Sequence, residues 1–152
     1  MNKKFFLAII NIFTLCIVIG AVSIFLINDD YWIGPMLILL AVICLLSLLP
    51  FKINLRSALP DVYFGLIDNG ILAVMAIFGG HFGGVTGAIL GGVVGNAITD
   101  GVAGIFEGYS AEKLRLQLVS EERTMLKSAV GKMAGCLFGA GIILFVANFF
   151  RF

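Results

Sequence analysis

Charged residues are scarce in this chain, and their scarcity excludes a soluble fold. Of its 152 residues only 12% are charged and 61% are hydrophobic, and the mean hydropathy is +1.11. Soluble globular domains average about 25% charged and roughly 45–50% apolar residues, and disordered chains are more polar still. A soluble protein of this size has too little interior to bury so much apolar surface. The composition therefore predicts an integral membrane protein whose main partner is the lipid bilayer.

Motifs for enzymatic chemistry are missing as well. The chain has one histidine, and its three cysteines lie inside apolar runs without zinc or disulfide spacing. No nucleophile-elbow, zinc-protease or phosphate-loop motif occurs, and the GxGD pattern of intramembrane aspartyl proteases is absent. The net charge of +1 includes no basic block that would follow a phosphate backbone. We therefore expect no enzyme activity, no organic cofactor and no nucleic-acid partner.

Five apolar runs are each long enough for a membrane helix, which needs about 20 residues. They cover residues 5–27, 31–49, 62–79, 83–106 and 128–150, and the third and fourth are separated only by a short turn at 80–82. The pattern predicts an all-α protein with five transmembrane helices. Residues 1–59 form an N-terminal two-helix hairpin and its inner loop, and residues 60–152 form a three-helix domain with an inner polar segment at 107–127.

Lysine and arginine are distributed unequally between the two predicted sides of the membrane. With the N-terminus inside, eight basic residues lie on the inner side, one on the outer side and one within the last span. Because such residues favour the cytoplasmic side, the N-terminus is predicted to be cytoplasmic and the C-terminus outside. The first apolar run is too long for a secretory signal, and no Arg- and Ser-rich leader precedes it. These features favour a bacterial inner membrane.

Glycine is abundant, and its spacing is regular. Nineteen residues are glycine, nearly double the usual share of about 7%. Small residues four positions apart let two helix backbones approach closely in a membrane. Such spacing predicts a glycine-rich three-helix core with the first two spans as a lipid-facing hairpin, although glycines can also open a helix to expose carbonyl groups. The predicted packing positions are Gly83, Gly87, Gly91, Gly95, Gly131, Gly135 and Gly139.

Three ionisable residues lie within predicted spans, where each costs roughly 2.5–3.5 kcal/mol on insertion scales. They are Asp68, Asp100 and Lys132. Given the alternating direction of the spans, all three lie at a similar depth, roughly 6–10 Å below the inner surface. Their common depth predicts one intramembrane site.

Polar neighbours complete that predicted site. Asn69 adjoins Asp68, Thr99 adjoins Asp100, and Asn96 precedes Asp100 by four positions on one helix face. Carboxylate, amide and hydroxyl oxygens suit Na⁺, Ca²⁺ or Mg²⁺, with the two aspartates as the metal ligands and Lys132 as counter-charge. A purely structural ion pair between Lys132 and one aspartate is the alternative. The excess of two acids over one base favours cation binding.

These residues also carry a family resemblance. Asp68-Asn69, then Gly95-Asn96 with Thr99-Asp100, then Gly131-Lys132 resemble three elements of the transmembrane protein 65 family, in the same order on three spans. The likeness covers about residues 60–150, and Thr99 stands where the family usually has serine. The resemblance implies that Asp68, Asn69, Asn96, Asp100 and Lys132 are motif positions. Animal members of the family are mitochondrial inner-membrane proteins linked to sodium-dependent calcium efflux.

Two functions follow as hypotheses. The first is a cation transporter or exchanger, of Na⁺/Ca²⁺ type, that acts as a homodimer because three core spans are too few to enclose a pathway. The second is a non-transporting scaffold or regulatory subunit that docks a partner membrane protein through its glycine-striped helices. The two carboxylates at one depth favour the first, since a docking protein has no need of them.

Overall fold

The described part of the protein is helical wherever its structure is regular. The structure is a computed structural model that describes residues 3–26, 30–116 and 124–150. It contains α1 (Lys3–Phe25), α2 (Asp30–Leu46), a short 3-10 helix (Leu49–Phe51), α3 (Leu55–Leu116) and α4 (Met125–Phe150). Helices satisfy their backbone polar groups internally, as an apolar environment demands. The all-α class is confirmed, and four of these helices are long and apolar enough to cross a membrane.

Helix α3 contains a reversal at Gly84. The predicted third and fourth spans both lie in α3, and residues 80–82 are helical where a turn was expected. The break lies at Gly84 instead, with φ 56° and ψ −140°, a conformation that only glycine adopts without strain. In a straight helix Gly79 and Gly87 would lie about 12 Å apart. Because the Gly79 carbonyl directly faces Gly87, the segments before and after Gly84 fold back on each other.

Side-chain caps fix where α3 and α4 begin. The Asn54 side-chain oxygen accepts a hydrogen bond from the Arg56 amide at 3.0 Å. The Thr124 hydroxyl accepts one from the Lys127 amide at 3.3 Å. Asparagine and threonine are favoured at this position because they satisfy amide groups that have no partner within the helix. The polar segment predicted at 107–127 belongs partly to these helices, because α3 continues to Leu116 and α4 begins at Met125. Residues 117–123 of that segment lie outside the described residues.

The buried apolar cluster joins α1 and α2 to the helices of the predicted three-helix core. Helix α4 packs against both α3 and α2, whereas α1 has few contacts. The largest fully buried side chains are Leu48, Cys44 and Val130, so α2 and the residues after it belong to the interior rather than to a peripheral hairpin. Glycines lie at both close contacts of α4, since Gly141 faces Gly34 of α2 and Gly135 faces the Val62 carbonyl of α3. The cluster comprises Ala8, Leu15, Leu40, Ala41, Cys44, Leu48, Ala58, Leu126, Val130, Ala134 and Leu137.

Candidate functional site

Asp68 lies where the two segments of α3 meet. Thr99, on the second segment, donates its hydroxyl hydrogen to Asp68 Oδ1 across 31 residues of sequence. Thr99 is 3% exposed, and Asp68 is half-buried. The Thr99 hydroxyl also lies 3.1 Å from the Gly95 carbonyl and 3.0 Å from the Asn96 carbonyl. A hydroxyl has one hydrogen, so it can turn from Asp68 to its own helix and then present a lone pair to the carboxylate side.

Asn69 connects Asp68 to α4. Its amide nitrogen lies 3.4 Å from Asp68 Oδ2 and 2.7 Å from the Cys136 sulfur. Three helical segments therefore meet around Asp68 and Asn69, where Thr99 and Asn69 contact the carboxylate and Cys136 contacts the Asn69 amide. No spacing motif marks Cys136, one of three cysteines within apolar runs, so it was not predicted as a site residue. Its contact with Asn69 depends on how α4 is rotated against α3, which a single sequence does not encode.

Asn96 and Asp100 form a second polar group. The Asn96 amide donates to Asp100 Oδ2 at 2.9 Å, as their spacing of four residues predicts, and Asp100 is exposed. Thr99, which contacts Asp68, lies next to Asp100 in sequence but is buried. Adjacent helical residues point about 100° apart, so one can face inward while the other faces outward. Of the five predicted ligands, Asp68, Asn69 and Thr99 are brought together, whereas Asn96 and Asp100 pair on an outer face.

Lys132, the predicted counter-charge, projects from α4 towards α3. Its ammonium nitrogen lies 4.4 Å from the centre of the Phe64 ring, a cation–π distance. Phe64 precedes Asp68 by four residues, so it lies one turn away on the same side of the helix. The Lys132 carbonyl oxygen also lies against Gly65. Lys132 thus lies against the turn of α3 that precedes Asp68.

A second buried carboxylate, Asp61, was missed. It is 3% exposed, and the Ser128 hydroxyl donates to its Oδ1 at 2.9 Å. A Cβ atom at Gly131 would lie 2.8 Å from the Asp61 Cβ, so the glycine leaves room for this side chain. Asp61 precedes the predicted third span at 62–79 and was not among the predicted site residues. The available signal was its spacing of seven residues from Asp68, which places both carboxylates on one face of α3.

Ser128→Ala should destabilise the protein through Asp61. The variant removes a hydrogen-bond donor from a buried carboxylate, which costs about 1–3 kcal/mol, and the further interaction that Asp61 makes favours the lower part of that range. Ser57→Ala is the control, because the Ser57 hydroxyl bond to the Asn54 carbonyl is exposed. Thermal unfolding in detergent measures both variants. Equal melting temperatures for the two would contradict a stabilising role of the Asp61–Ser128 bond.

The predicted packing glycines lie at two close contacts. Between the segments of α3, Gly87 faces Gly79, Gly91 faces the Met75 carbonyl and Gly95 faces Leu72. Gly83 differs, since a Cβ atom there would have no heavy atom within 4 Å among the described residues, because it lies beside the reversal.

Between α3 and α4, glycines likewise face backbone atoms. Gly135 faces the Val62 carbonyl, and Gly139 faces the Leu66 carbonyl. A side chain at these positions would overlap with backbone of the neighbouring helix. Along α3, the glycine contacts with α4 at Val62 and Leu66 come before Asp68, and the contacts with the second segment of α3 come after it. Glycine packing therefore sets the distance between the three segments that meet near Asp68.

The donor set at Asp68 is dominated by oxygen. Asp68, Asn69 and Thr99 carry carboxylate, amide and hydroxyl oxygens, the ligand types of hard cations. Within the described ranges, no three histidine, cysteine, aspartate or glutamate side chains converge as a transition-metal site would require.

Comparison of the chain with protein-family models, with curated proteins and with solved structures finds no match in any of the three.

Proposed function

We propose that this protein is an integral membrane transporter or exchanger of small cations, of the Na⁺/Ca²⁺ type. The observation that carries the proposal is the hydrogen bond from Thr99 to Asp68, because it joins two halves of α3 at a carboxylate within an apolar helix pair. An ionisable residue in such a position marks an ion pathway by default. Asp68 is the principal ligand, and Asn69 and Thr99 supply neutral oxygens.

The proposal includes five membrane spans, which the reversal at Gly84 supports. The apolar stretch Leu55–Val102 has 48 residues. As a straight helix it would extend roughly 72 Å, more than twice the bilayer core of about 30 Å. Folded at Gly84, it is long enough for two spans, so with α1, α2 and α4 the proposed number is five. An odd number, together with the excess of basic residues on one side, supports a cytoplasmic N-terminus, an outside C-terminus and a bacterial inner membrane.

Cation binding would exchange the partners of Thr99. The Thr99 hydroxyl donates to Asp68 in the structure. When a cation binds to the Asp68 carboxylate, the hydroxyl turns to the Gly95 or Asn96 carbonyl, and its oxygen becomes a ligand. Lys132 supplies a positive charge against the turn that precedes Asp68, so its attraction to the carboxylate changes when the site fills. The site therefore has two defined hydrogen-bond states that differ by one hydroxyl rotation.

The choice of sodium and calcium rests on the resemblance to the transmembrane protein 65 family. Asp68-Asn69, Asn96, Asp100 and Lys132 match that family's motif positions, and Thr99 keeps the hydroxyl of the usual serine. The oxygen-rich donor set at Asp68 is compatible with either ion. Membership of the family, a homodimeric state and the ions themselves are parts of this proposal.

The alternative function, a non-transporting scaffold, has less support. It requires glycine stripes that are open to a partner. Gly87, Gly91, Gly135 and Gly139 instead face backbone atoms of the chain's own helices. A purified chain that carries no ions, together with a membrane protein that copurifies in stoichiometric amounts, would favour the scaffold.

The test of the proposed function is ion flux through the purified protein. Reconstituted into proteoliposomes, the full chain should take up Ca²⁺ when an opposing Na⁺ gradient is applied, and uptake should stop when choline replaces Na⁺. Empty liposomes measure the leak. Flux equal to that leak under every combination of Na⁺, Ca²⁺ and Mg²⁺ gradients would overturn the proposal.

A cation that binds at Asp68 should also stabilise the fold. A ligand present at about 100 times its Kd stabilises the folded state by about 2.7 kcal/mol. Na⁺ or Ca²⁺ should therefore raise the melting temperature in detergent by several degrees, and choline at equal ionic strength should not. The Asp68→Asn variant should lose the shift. A shift of the same size with choline would point to ionic strength instead of a site.

A further inference from the structure

The side-chain amide of Asn69 connects two groups through its nitrogen. That nitrogen lies 2.7 Å from the Cys136 sulfur and 3.4 Å from Asp68 Oδ2. An amide nitrogen carries two hydrogens, so it can donate to both acceptors, but it does not bind a cation. The proposed cation site needs the oxygen of this amide. The group that Asn69 presents to the carboxylate in the structure is therefore the donor and not the ligand.

Close backbone contacts hold Cys136 beside Asn69. A Cβ atom at Gly65, one turn before Asn69 on α3, would lie 2.8 Å from the Cys136 amide nitrogen. A Cβ atom at Gly139, further along α4, would lie 2.8 Å from the Gly70 amide nitrogen. The two helices are thus in backbone contact on either side of the Asn69–Cys136 pair. Because neither contact depends on a flexible side chain, the thiol stays within reach of the amide when the amide turns.

The distance between Asn69 and Asp68 suits a shared cation once the amide has turned. The terminal torsion of an asparagine side chain is broad and two-fold, so half a turn exchanges the nitrogen and the oxygen. The oxygen then takes the place of the nitrogen, which lies 3.4 Å from Asp68 Oδ2. Two oxygens that bind one Ca²⁺ at about 2.4 Å and at right angles lie about 3.4 Å apart. A cation between the amide oxygen and the carboxylate also removes the repulsion between them.

We propose that Cys136 is a positioning residue for the Asp68 site, because its thiol can keep a hydrogen bond to Asn69 in both orientations of the amide. The inference rests on the transport function proposed above, since a bound cation is what requires the second orientation. In the structure the thiol accepts a hydrogen from the amide nitrogen. When the amide oxygen turns towards a cation, the same thiol donates its S–H hydrogen to that oxygen, because a thiol is both a weak donor and a weak acceptor. Cys136 acts through Asn69 and does not itself bind the cation.

Variants at Cys136 test the inference through ion affinity in proteoliposomes. Cys136→Ala removes the partner of the ligating orientation, so the Ca²⁺ concentration for half-maximal uptake should rise about three-fold while the maximal rate changes little. Cys136→Ser keeps a donor and an acceptor and should restore the natural value. Cys44→Ala is the control, because Cys44 is a buried cysteine in the apolar cluster. It should lower the melting temperature and leave the half-maximal concentration unchanged.

An infrared measurement on the full chain in detergent observes the thiol without measuring transport. The S–H stretching band of Cys136 is the band that the Cys136→Ser variant lacks. Replacing choline by Na⁺ or Ca²⁺ should shift this band in the natural chain, because the S–H group gains the Asn69 oxygen as its acceptor. The Asp68→Asn variant should show no shift, since its amide has no bound cation to face.

The inference and the proposed function fail in different ways. If the natural chain carries Ca²⁺ while Cys136→Ala and Cys136→Ser have equal half-maximal concentrations, or while the S–H band is unchanged by cations, the positioning role is overturned and the Asp68 site remains. If Cys136→Ala does not fold, the infrared band of the natural chain decides alone. Flux of the natural chain at the level of empty liposomes would overturn the proposed function and this inference with it.

Discussion

Asp68→Asn should lose Na⁺-dependent Ca²⁺ uptake almost completely while the protein remains folded. Asparagine has the same size and can still accept the Thr99 hydrogen bond, so the contact between the segments of α3 survives. The substitution removes the negative charge, and the binding of a hard cation depends on that charge. A loss of about 3 kcal/mol in cation binding would weaken the affinity by roughly 100-fold. Flux in proteoliposomes, measured against protein amount, gives the result.

Variants at Thr99 serve as matched controls for Asp68. Thr99→Ser keeps the hydroxyl and should carry Ca²⁺ at a rate close to that of the natural chain. Thr99→Val keeps the shape but removes the hydroxyl donor of the half-buried Asp68 carboxylate, which costs at most about 1–3 kcal/mol, and should reduce uptake. The melting temperature of each variant separates loss of transport from loss of folding. Full flux in Asp68→Asn would remove Asp68 from the mechanism.

Gly91→Ala should disrupt the protein far more than the same change at the next residue. A methyl group at Gly91 would overlap with the Met75 carbonyl, and backbone atoms cannot rotate away as a side chain can. Overpacking of this kind costs about 1–3 kcal/mol or more. At Gly92 the new Cβ atom would lie 3.9 Å from the Ala76 methyl, an ordinary contact. Gly92→Ala should therefore be neutral or stabilising by about 0.5–1 kcal/mol, since alanine favours helix.

The same variant should also impair the Asp68 site. Thr99 lies eight residues beyond Gly91 on the same helix, so pushing the segments apart at Gly91 lengthens the Thr99–Asp68 hydrogen bond. Thermal unfolding and Ca²⁺ uptake are expected to fall together in Gly91→Ala and to stay at the level of the natural chain in Gly92→Ala. If both variants behaved alike, the close approach of the two segments of α3 would not matter for either property.

Position along the helices could be predicted from the sequence, whereas the direction in which each side chain faces could not. Asp68 and Thr99 were assigned to one level because position along a helix follows directly from residue number. Which side of each helix faces a neighbour depends on how the helices rotate against each other, and residue number does not determine that. Asn96 and Asp100 were therefore grouped with Asp68, although the structure pairs them on an outer face.

Two contacts were not predicted from the sequence, again because helix rotation is not determined by residue number. The Asn69–Cys136 and Asp61–Ser128 contacts both join residues 67 positions apart, on α3 and α4. Only the packing of those helices brings them together. The all-helical structure, by contrast, could be predicted from the length of the apolar runs alone, because an apolar chain must satisfy its backbone hydrogen-bonding groups internally. The position of the reversal was predicted within a few residues, and the structure differs because Gly84 accepts a positive φ with no turn residues around it.

The single-residue reversal at Gly84 makes the spacing between Asp68 and Thr99 a fixed quantity. With no loop to absorb an insertion, one added residue on either side would rotate the rest of that segment by about 100° and carry its side chain out of the contact. The site therefore depends on the interval of 31 residues between Asp68 and Thr99 as much as on the types of those two residues. An alignment of related chains should show this interval without gaps, and length variation confined to the segments beyond it.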